Sequence, residues 1–381
     1  MNRSRIHQIF TNYIENFEVI NNSKNNENYK WKIAYSFCDL MNPDAPDFAN
    51  RIKEAWTLSD NLIDSNNRYC FSALVTCAEK EPEAVRQLFK KLFADDGGNL
   101  DLRQDKILNF INEANMLTAK LHSGNDVFMN DQRSAMAYLF FYDPDNHYLY
   151  KASEARSFAS CVEFYDDWGA GAAFKLHSYY RMCDELVEVI KKSEALKNTH
   201  NSRFFDRNNV RRNDMHPDNN YHILSFDIIY GAPENRYNFY KGIPYKKITA
   251  ESRRLYNERS KKAKELYVEL KQAQADYDLL QEAKEYFKAN IVVGLPVKHR
   301  IWGVGYVTKV DEENIYITFE RSGEKKLSLI VAFANQALTT DIPDFYEDIS
   351  LYRSVLLRQS SISSALNKAI KNFEEYSEYL D

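Results

Sequence analysis

From Tyr245 to Val293 the chain contains neither proline nor glycine, the residues that most readily interrupt a helix. Within that stretch Tyr256, Ala263, Leu266, Leu270, Ala273, Tyr277, Leu280 and Phe287 recur in alternating steps of three and four. Arg259 and Lys284 fill the remaining seam positions, and Lys and Glu dominate elsewhere. A heptad pattern over this length predicts one long helix, whose apolar stripe requires a partner. A second stripe, Ile349, Tyr352, Leu356, Leu366, Ile370, Phe373 and Leu380, follows the DIPDF turn at compatible spacing. The two are expected to pair antiparallel, as arms of a stalk over residues 249–289 and 342–381. The alternative use of the first stripe is a homodimer, with Tyr256 to Phe287 pairing between chains.

Between the arms lies VKHRIWGVGYVTKV, continued by IYITF and KKLSLIV, with DEEN and ERSGE between them. These β-branched, alternating segments joined by turn residues predict a compact antiparallel barrel of about five strands. Gly303 and Gly305 are expected to allow the bend between its first two strands. Residues 291–338 resemble the Tudor-like, SH3-type small barrel at the C-terminus of UvrD and PcrA helicases. The resemblance rests on Gly294, Val297, His299, Trp302, Gly303, Gly305, Val307, Gly323, Lys325 and Leu327. It implies a barrel that docks protein or nucleic acid and is not catalytic.

Residues 1–245 read as a domain of short helices. Ile6, Ile9, Phe10, Tyr13, Ile14 and Phe17 recur at helical spacing up to the polar break NNSKNNENY, and Trp31, Ala34, Tyr35, Phe37, Cys38 and Met41 give a second apolar face. Asp47 is placed to cap a helix starting near Phe48, and Pro82 starts another in which Val85, Leu88, Phe89 and Leu92 line one side. In YLFFYDPDNHYLYK the DPDN turn precedes a short extended piece. Its aromatic cluster reads as core, or alternatively as a pocket that stacks a flat ligand. DDWGAGAAFKL lacks the third glycine of a dinucleotide loop and reads as a turn into a helix; no GxxxxGK[ST] occurs anywhere. YHILSFDIIYGA is a buried strand or a short apolar helix.

The elements KW…F…DAPDF…NL and PE-x-VR-x-LF, with a third altered to YDPDNHYLYK, are similar to N-terminal regions of McrB-like AAA+ restriction ATPases and related bacterial defence proteins. That resemblance implies recognition or scaffolding in a defence system. A motor lies downstream in such proteins, and here a stalk stands in its place.

The fold expected is therefore mainly α: a multi-helix N-terminal domain and a helical pair carrying a small barrel. The net charge of −5 supplies no global basic field, so any nucleic-acid contact must be a local patch. Two candidates exist. Arg203, Arg207, Arg211 and Arg212 occupy a polar loop that is either a solvated linker or a phosphate contact. Lys298, Arg300, Lys309, Lys325 and Lys326 lie along the barrel strands with Trp302, a candidate anchor; Asp311, Glu312, Glu313, Glu320 and Glu324 nearly cancel these five basic residues. An enzymatic alternative, a metal-dependent nuclease, would use His216 and His222 with Asp214 and Asp218, at spacing poor for a metal site. No cofactor is implied. Five cysteines without a CxxC pair suit reduced thiols, and no stretch approaches a membrane span, so a cytoplasmic protein is expected. The expected partner is DNA or another protein, such as a separately encoded ATPase or nuclease.

Overall fold

A computed structural model describes residues 1–64, 67–122, 125–206 and 208–380. The chain is mainly helical and divides into two compact units, Met1–Ala250 and Glu251–Asp381.

The first unit is built of twelve α-helices among the described residues: α1 (Arg3–Glu15), α2 (Phe17–Ile20), α3 (Tyr29–Leu40), α4 (Phe48–Ile63), α5 (Cys70–Lys80), α6 (Pro82–Phe93), α7 (Leu100–His122), α8 (Gln132–Tyr142), α9 (Ala152–Cys161), α10 (Leu176–Lys191), α11 (Glu194–Ser202) and α12 (His222–Gly231). At its centre is α8, started by a reciprocal capping box between Asp131 and Ser134 and buried on every side from Ser134 to Phe141. A helix apolar all round must be enclosed. Tyr138 of α8 meets Phe71, Phe89 and Phe110 edge-on, with ring centroids 5.0–5.5 Å apart. Val85, Leu88, Phe89 and Leu92 of α6 are all buried, as their spacing predicts. Asp47 stands at the start of α4, but its side chain makes no capping hydrogen bond. The YLFFYDPDNHYLYK aromatics are core: Tyr138, Phe140, Phe141, Tyr148 and Tyr150 are buried. Gly169 (φ +65°) and Gly171 (φ +54°) turn the chain toward α10, and YHILSFDIIYGA forms α12.

Charges are also enclosed in this unit. Lys30 of α3, wholly buried, pairs with Asp227 of α12 and lies 2.7 Å from Glu27. Arg203, at the C-terminal end of α11, donates to Asn21 (2.9 Å), Asn28 (2.6 Å) and Tyr13 (2.6 Å), and its guanidinium lies 3.6 Å from the Trp31 ring centroid. Tyr13 in turn donates to Asp227 at 2.7 Å. Asp218 accepts the Ile223 and Leu224 amides at 3.0 and 2.9 Å at the start of α12, and the Trp31 indole N–H at 3.3 Å. Burial pushes Asp218 up to about 7, while it holds the neighbouring His200 well below its usual value. This network ties α1, α3, α11 and α12 together, since an enclosed charge is tolerable only when paired and hydrogen-bonded.

The second unit begins with α13 (Ala250–Asn290), 41 residues and hence about 60 Å long at 1.5 Å per residue. It continues through β1 (Pro296–His299), β2 (Gly303–Val310), β3 (Asn314–Phe319), β4 (Gly323–Ser328), α14 (Leu329–Ala334) and β5 (Leu338–Thr340) to α15 (Phe345–Leu356) and α16 (Gln359–Glu374). The C-terminal helices run antiparallel to α13. Tyr286 donates to Asp348 at 2.7 Å, Arg358 reaches Asp276 at 2.9 Å, and the ring pairs Tyr267–Phe373 and Tyr256–Tyr379 lie 5.5 and 5.7 Å apart. The apolar stripe of α13 is thus partnered within the chain, the arrangement opposite to the homodimer alternative. The second arm is not one helix but two, parted at Leu357–Arg358. Continued from Leu356, the heptad would place Gln359 and Ser363 in the seam. The break turns in Ile362, Leu366 and Ala369 instead, and Ile370 faces outward at 36% exposure.

The strands form one antiparallel sheet in the order β4-β3-β2-β1-β5. β4 and β5 are its edges and do not pair, so the sheet is open and the expected closed barrel is not formed. Of KKLSLIV, expected as a strand, residues 325–328 lie in β4, and the chain leaves the sheet after Ser328 so that Leu329, Ile330 and Val331 open α14, which places Ile330 and Phe333 in the core. Val297, Val307, Ile315, Ile317 and Phe319 from the sheet share one core with Phe287, Phe333 and Phe345. Gly303, at φ +76°, makes the turn into β2. Gly305 has a different role from the bend expected of it: a Cβ there would lie 2.7 Å from the Phe319 ring and 2.8 Å from Ile317, so glycine lets β2 and the core side chains of β3 close together.

Candidate nucleic-acid interface

Strand register decides which basic residues share a surface. Tyr306 pairs with Pro296 and Thr318, Thr318 with Glu324, and Val304 with Lys298. Because side chains alternate between faces, these residues lie on the side of the sheet turned away from the core, and all of them are exposed. Strict alternation along β2 would send Lys309 to the opposite face, with Gly305 and Val307. A register shift between Val307 and Lys309 reverses this, as a bulge does by adding one residue to a strand. Lys309 then stands opposite Tyr316, and Tyr316 opposite Lys326. The two ammonium groups lie 5.2 and 5.8 Å from the Tyr316 ring centroid, one from each neighbouring strand. Such contacts hold a cation near an aromatic face without neutralising it.

Acidic groups surround this row. Glu324 stands one row away beside Thr318, and Glu320 lies beyond the end of β3. Asp311 is drawn into the β2–β3 turn, where its carboxylate accepts the Glu313 and Asn314 amides at 3.0 and 2.7 Å and the Tyr316 hydroxyl at 3.3 Å. Those donors hold its pKa below the usual range.

The other sequence-selected residues fall elsewhere. Lys325 belongs to the inner-face register opposite Ile317 and lies 5.7 Å from the Trp302 ring. Trp302 is half-buried, stacked 4.1 Å from His299 and 5.4 Å from Phe319, so much of its surface serves the core. His299 Nδ1 accepts the Ile301 and Trp302 amides at 3.2 and 3.3 Å, pinning the β1–β2 turn that exposes Arg300. Burial, with Arg300 beside it, lowers the His299 pKa. An unprotonated Nδ1 is what this acceptor role requires.

The arginine loop does not act as a group. Arg203 was expected on a polar surface loop, yet it is 3% exposed and bound into the buried network; its side chain is the cation that Tyr13, Asn28 and Trp31 enclose. Arg207 lies outside the described residues. Arg211 is exposed, bridged through its backbone to Phe205, and Arg212 is half-buried. His216 Nε2 lies 3.8 Å from Asp145, while its Nδ1 accepts the Asp218 amide at 3.1 Å. His222 bonds the His147 carbonyl at 3.1 Å and packs 4.1 Å from the Tyr148 ring. No group of three or more His, Cys, Asp or Glu able to hold a metal occurs among the described residues, and no helix there is long and apolar enough to cross a membrane.

Tyr306 and Tyr316 were not singled out from the sequence. The even spacing of Val304, Tyr306 and Thr308 places Tyr306 on the outer face; the Lys309–Tyr316–Lys326 row needs the bulge and the β3–β4 register as well. Compared with family models, with curated proteins and with solved structures, the chain matches none of them.

Proposed function

We propose that the chain is a non-catalytic, nucleic-acid-binding component of a bacterial anti-phage or restriction-type defence system, and that the outer face of the small sheet is its contact surface. The observation that carries the binding reading is the row Lys309–Tyr316–Lys326, with Lys298 exposed on the same face. Ammonium groups at fixed spacing on a sheet suit phosphate oxygens, and binding of that kind weakens with added salt through counterion release. The defence setting rests on the resemblance of the elements KW…F…DAPDF…NL, PE-x-VR-x-LF and YDPDNHYLYK to McrB-like N-terminal regions. In such a system a separately encoded ATPase or nuclease supplies the chemistry.

The test is fluorescence anisotropy of labelled DNA over a range of salt, with wild type and a Lys298→Glu/Lys309→Glu/Lys326→Glu variant. The reading expects affinity to fall steeply with salt and to vanish in the variant, whose thermal unfolding stays near wild type because all three side chains are solvated. Equal binding by the two proteins, or none by wild type, overturns it.

A further inference from the structure

Resting on that reading, we propose that the ligand of this face is single-stranded DNA, with an unpaired base stacked on Tyr306 and the adjoining phosphates held by Lys309 and Lys326. Tyr306 is 50% exposed at the middle of the sheet. Among the described residues its side chain makes no hydrogen bond, ion pair or ring contact, whereas the Tyr316 ring already carries both lysines. One aromatic face is therefore open and the other is held beside cations.

Tyr306 pairs with Thr318, and Tyr316 precedes Thr318 by two residues on the same strand, so the two tyrosines are diagonal neighbours on one face. Diagonal neighbours on a sheet stand roughly 7–8 Å apart, still within reach of aromatic side chains. A duplex hides its base faces in the stack and offers Tyr306 only sugar and phosphate. An unpaired strand offers a π-face, and stacking of bases on aromatic side chains beside a cationic track is the way sequence-tolerant single-strand binding operates. Val304, 44% exposed, and Pro296 border Tyr306 with apolar surface. Of the threonine hydroxyls that flank it, Thr308 already donates to the Tyr316 carbonyl at 3.2 Å and Thr318 stands opposite on β3, a poor set of partners for 2′-hydroxyls and hence the choice of DNA over RNA.

The experiment measures affinity for labelled oligothymidylate of about 16 nucleotides, a duplex of equal length and oligouridylate, using the full chain and the variants Tyr306→Ala and Tyr306→Phe. The proposal expects oligothymidylate to bind tightest. Tyr306→Ala should weaken it about ten-fold without changing duplex affinity, and Tyr306→Phe, which keeps the ring, should restore it. Duplex or oligouridylate binding as tight as oligothymidylate, or an unchanged Tyr306→Ala, overturns the single-strand assignment. If the triple lysine variant still loses binding in that case, the nucleic-acid reading stands without it; no binding to any probe ends both.

Discussion

Cations have opposite fates in the two units. In the first, Lys30 and Arg203 are enclosed, each with carboxylate, amide or hydroxyl partners and an aromatic face. In the second, Lys309 and Lys326 flank Tyr316 in the open. The same pairing of cation with ring is structural where water is excluded and available to a ligand where it is not. Burial decides the role, and residue type does not.

The largest expected effect breaks the buried half of this contrast. Asp227→Ala removes one of the two carboxylates paired with Lys30, leaving Glu27, and with it the acceptor for Tyr13 and the carboxylate 3.7 Å from Arg203. Losing one member of an enclosed ion network costs about 3–5 kcal/mol, so urea unfolding of the first unit should shift by that amount. A shift under about 1 kcal/mol would mean that water reaches Lys30 and that the enclosure is not real.

Next is Gly305→Ala, which tests whether the exposed row depends on close packing beneath it. The added methyl has no space against Phe319 and Ile317, and overpacking of this kind costs about 1–3 kcal/mol. The second unit alone should lose stability. An unchanged second unit would show that β2 and β3 can separate without penalty.

How much of this was legible in the sequence follows the same division between local pattern and long-range contact. Helix α13 could be read because an uninterrupted heptad is local, and the apolar side of α6 because four residues at 3.6-residue spacing leave one choice. The break at Leu357 was concealed because Leu356, Leu366 and Phe373 keep heptad phase across polar Gln359 and Ser363. Closure of the barrel could not be read, since whether β4 meets β5 depends on contacts between distant strands. Arg203 looked like a loop arginine because Tyr13 and Asn28, which enclose it with Trp31, lie 190 and 175 residues earlier in the chain. Lys309 was selected for its charge, but its face was set by a bulge that alternation does not announce.

Acid gives a smaller, graded effect, confined to the buried network and its surroundings. Burial lowers His147 to about 3 and holds His200 well below its ordinary value of 6.5, with His216 and His222 also lowered. The unfolded chain takes up these protons near pH 6.5 and the folded chain does not, so their stability contribution is complete above that pH and is lost as pH falls toward 3. Each fully buried imidazole approaches about 1.4 kcal/mol per pH unit. Asp218, raised to about 7, acts in the opposite sense: between about 7 and its unfolded value of 3.8 the folded chain holds a proton that the unfolded chain has released, so stability rises as pH falls. With four imidazoles against one carboxyl, net stability should decline from pH 7 to 5, and Asp218→Asn should steepen the decline. Denaturant titrations at the two pH values measure it; stability rising at pH 5 would reverse the assignment.

The smallest expected effect concerns the exposed half. Lys326→Gln removes a cation 5.8 Å from the Tyr316 ring, opposite Lys309. Exposed cation–π contacts contribute about 0.5–1 kcal/mol, and Lys309 still occupies the ring after the change, so thermal unfolding should move by no more than about 0.5 kcal/mol. The informative comparison is with the Arg203→Gln variant in the first unit, which removes a cation 3.6 Å from the Trp31 ring centroid from an enclosed site and leaves Tyr13 and Asn28 with a shorter, neutral partner. If solvent exposure separates the two roles, the two substitutions should differ by several-fold in stability while only Lys326→Gln alters DNA affinity. Equal losses would mean that Lys326 is held by the second unit for its own folding, and the outer face would then owe its lysines to structure.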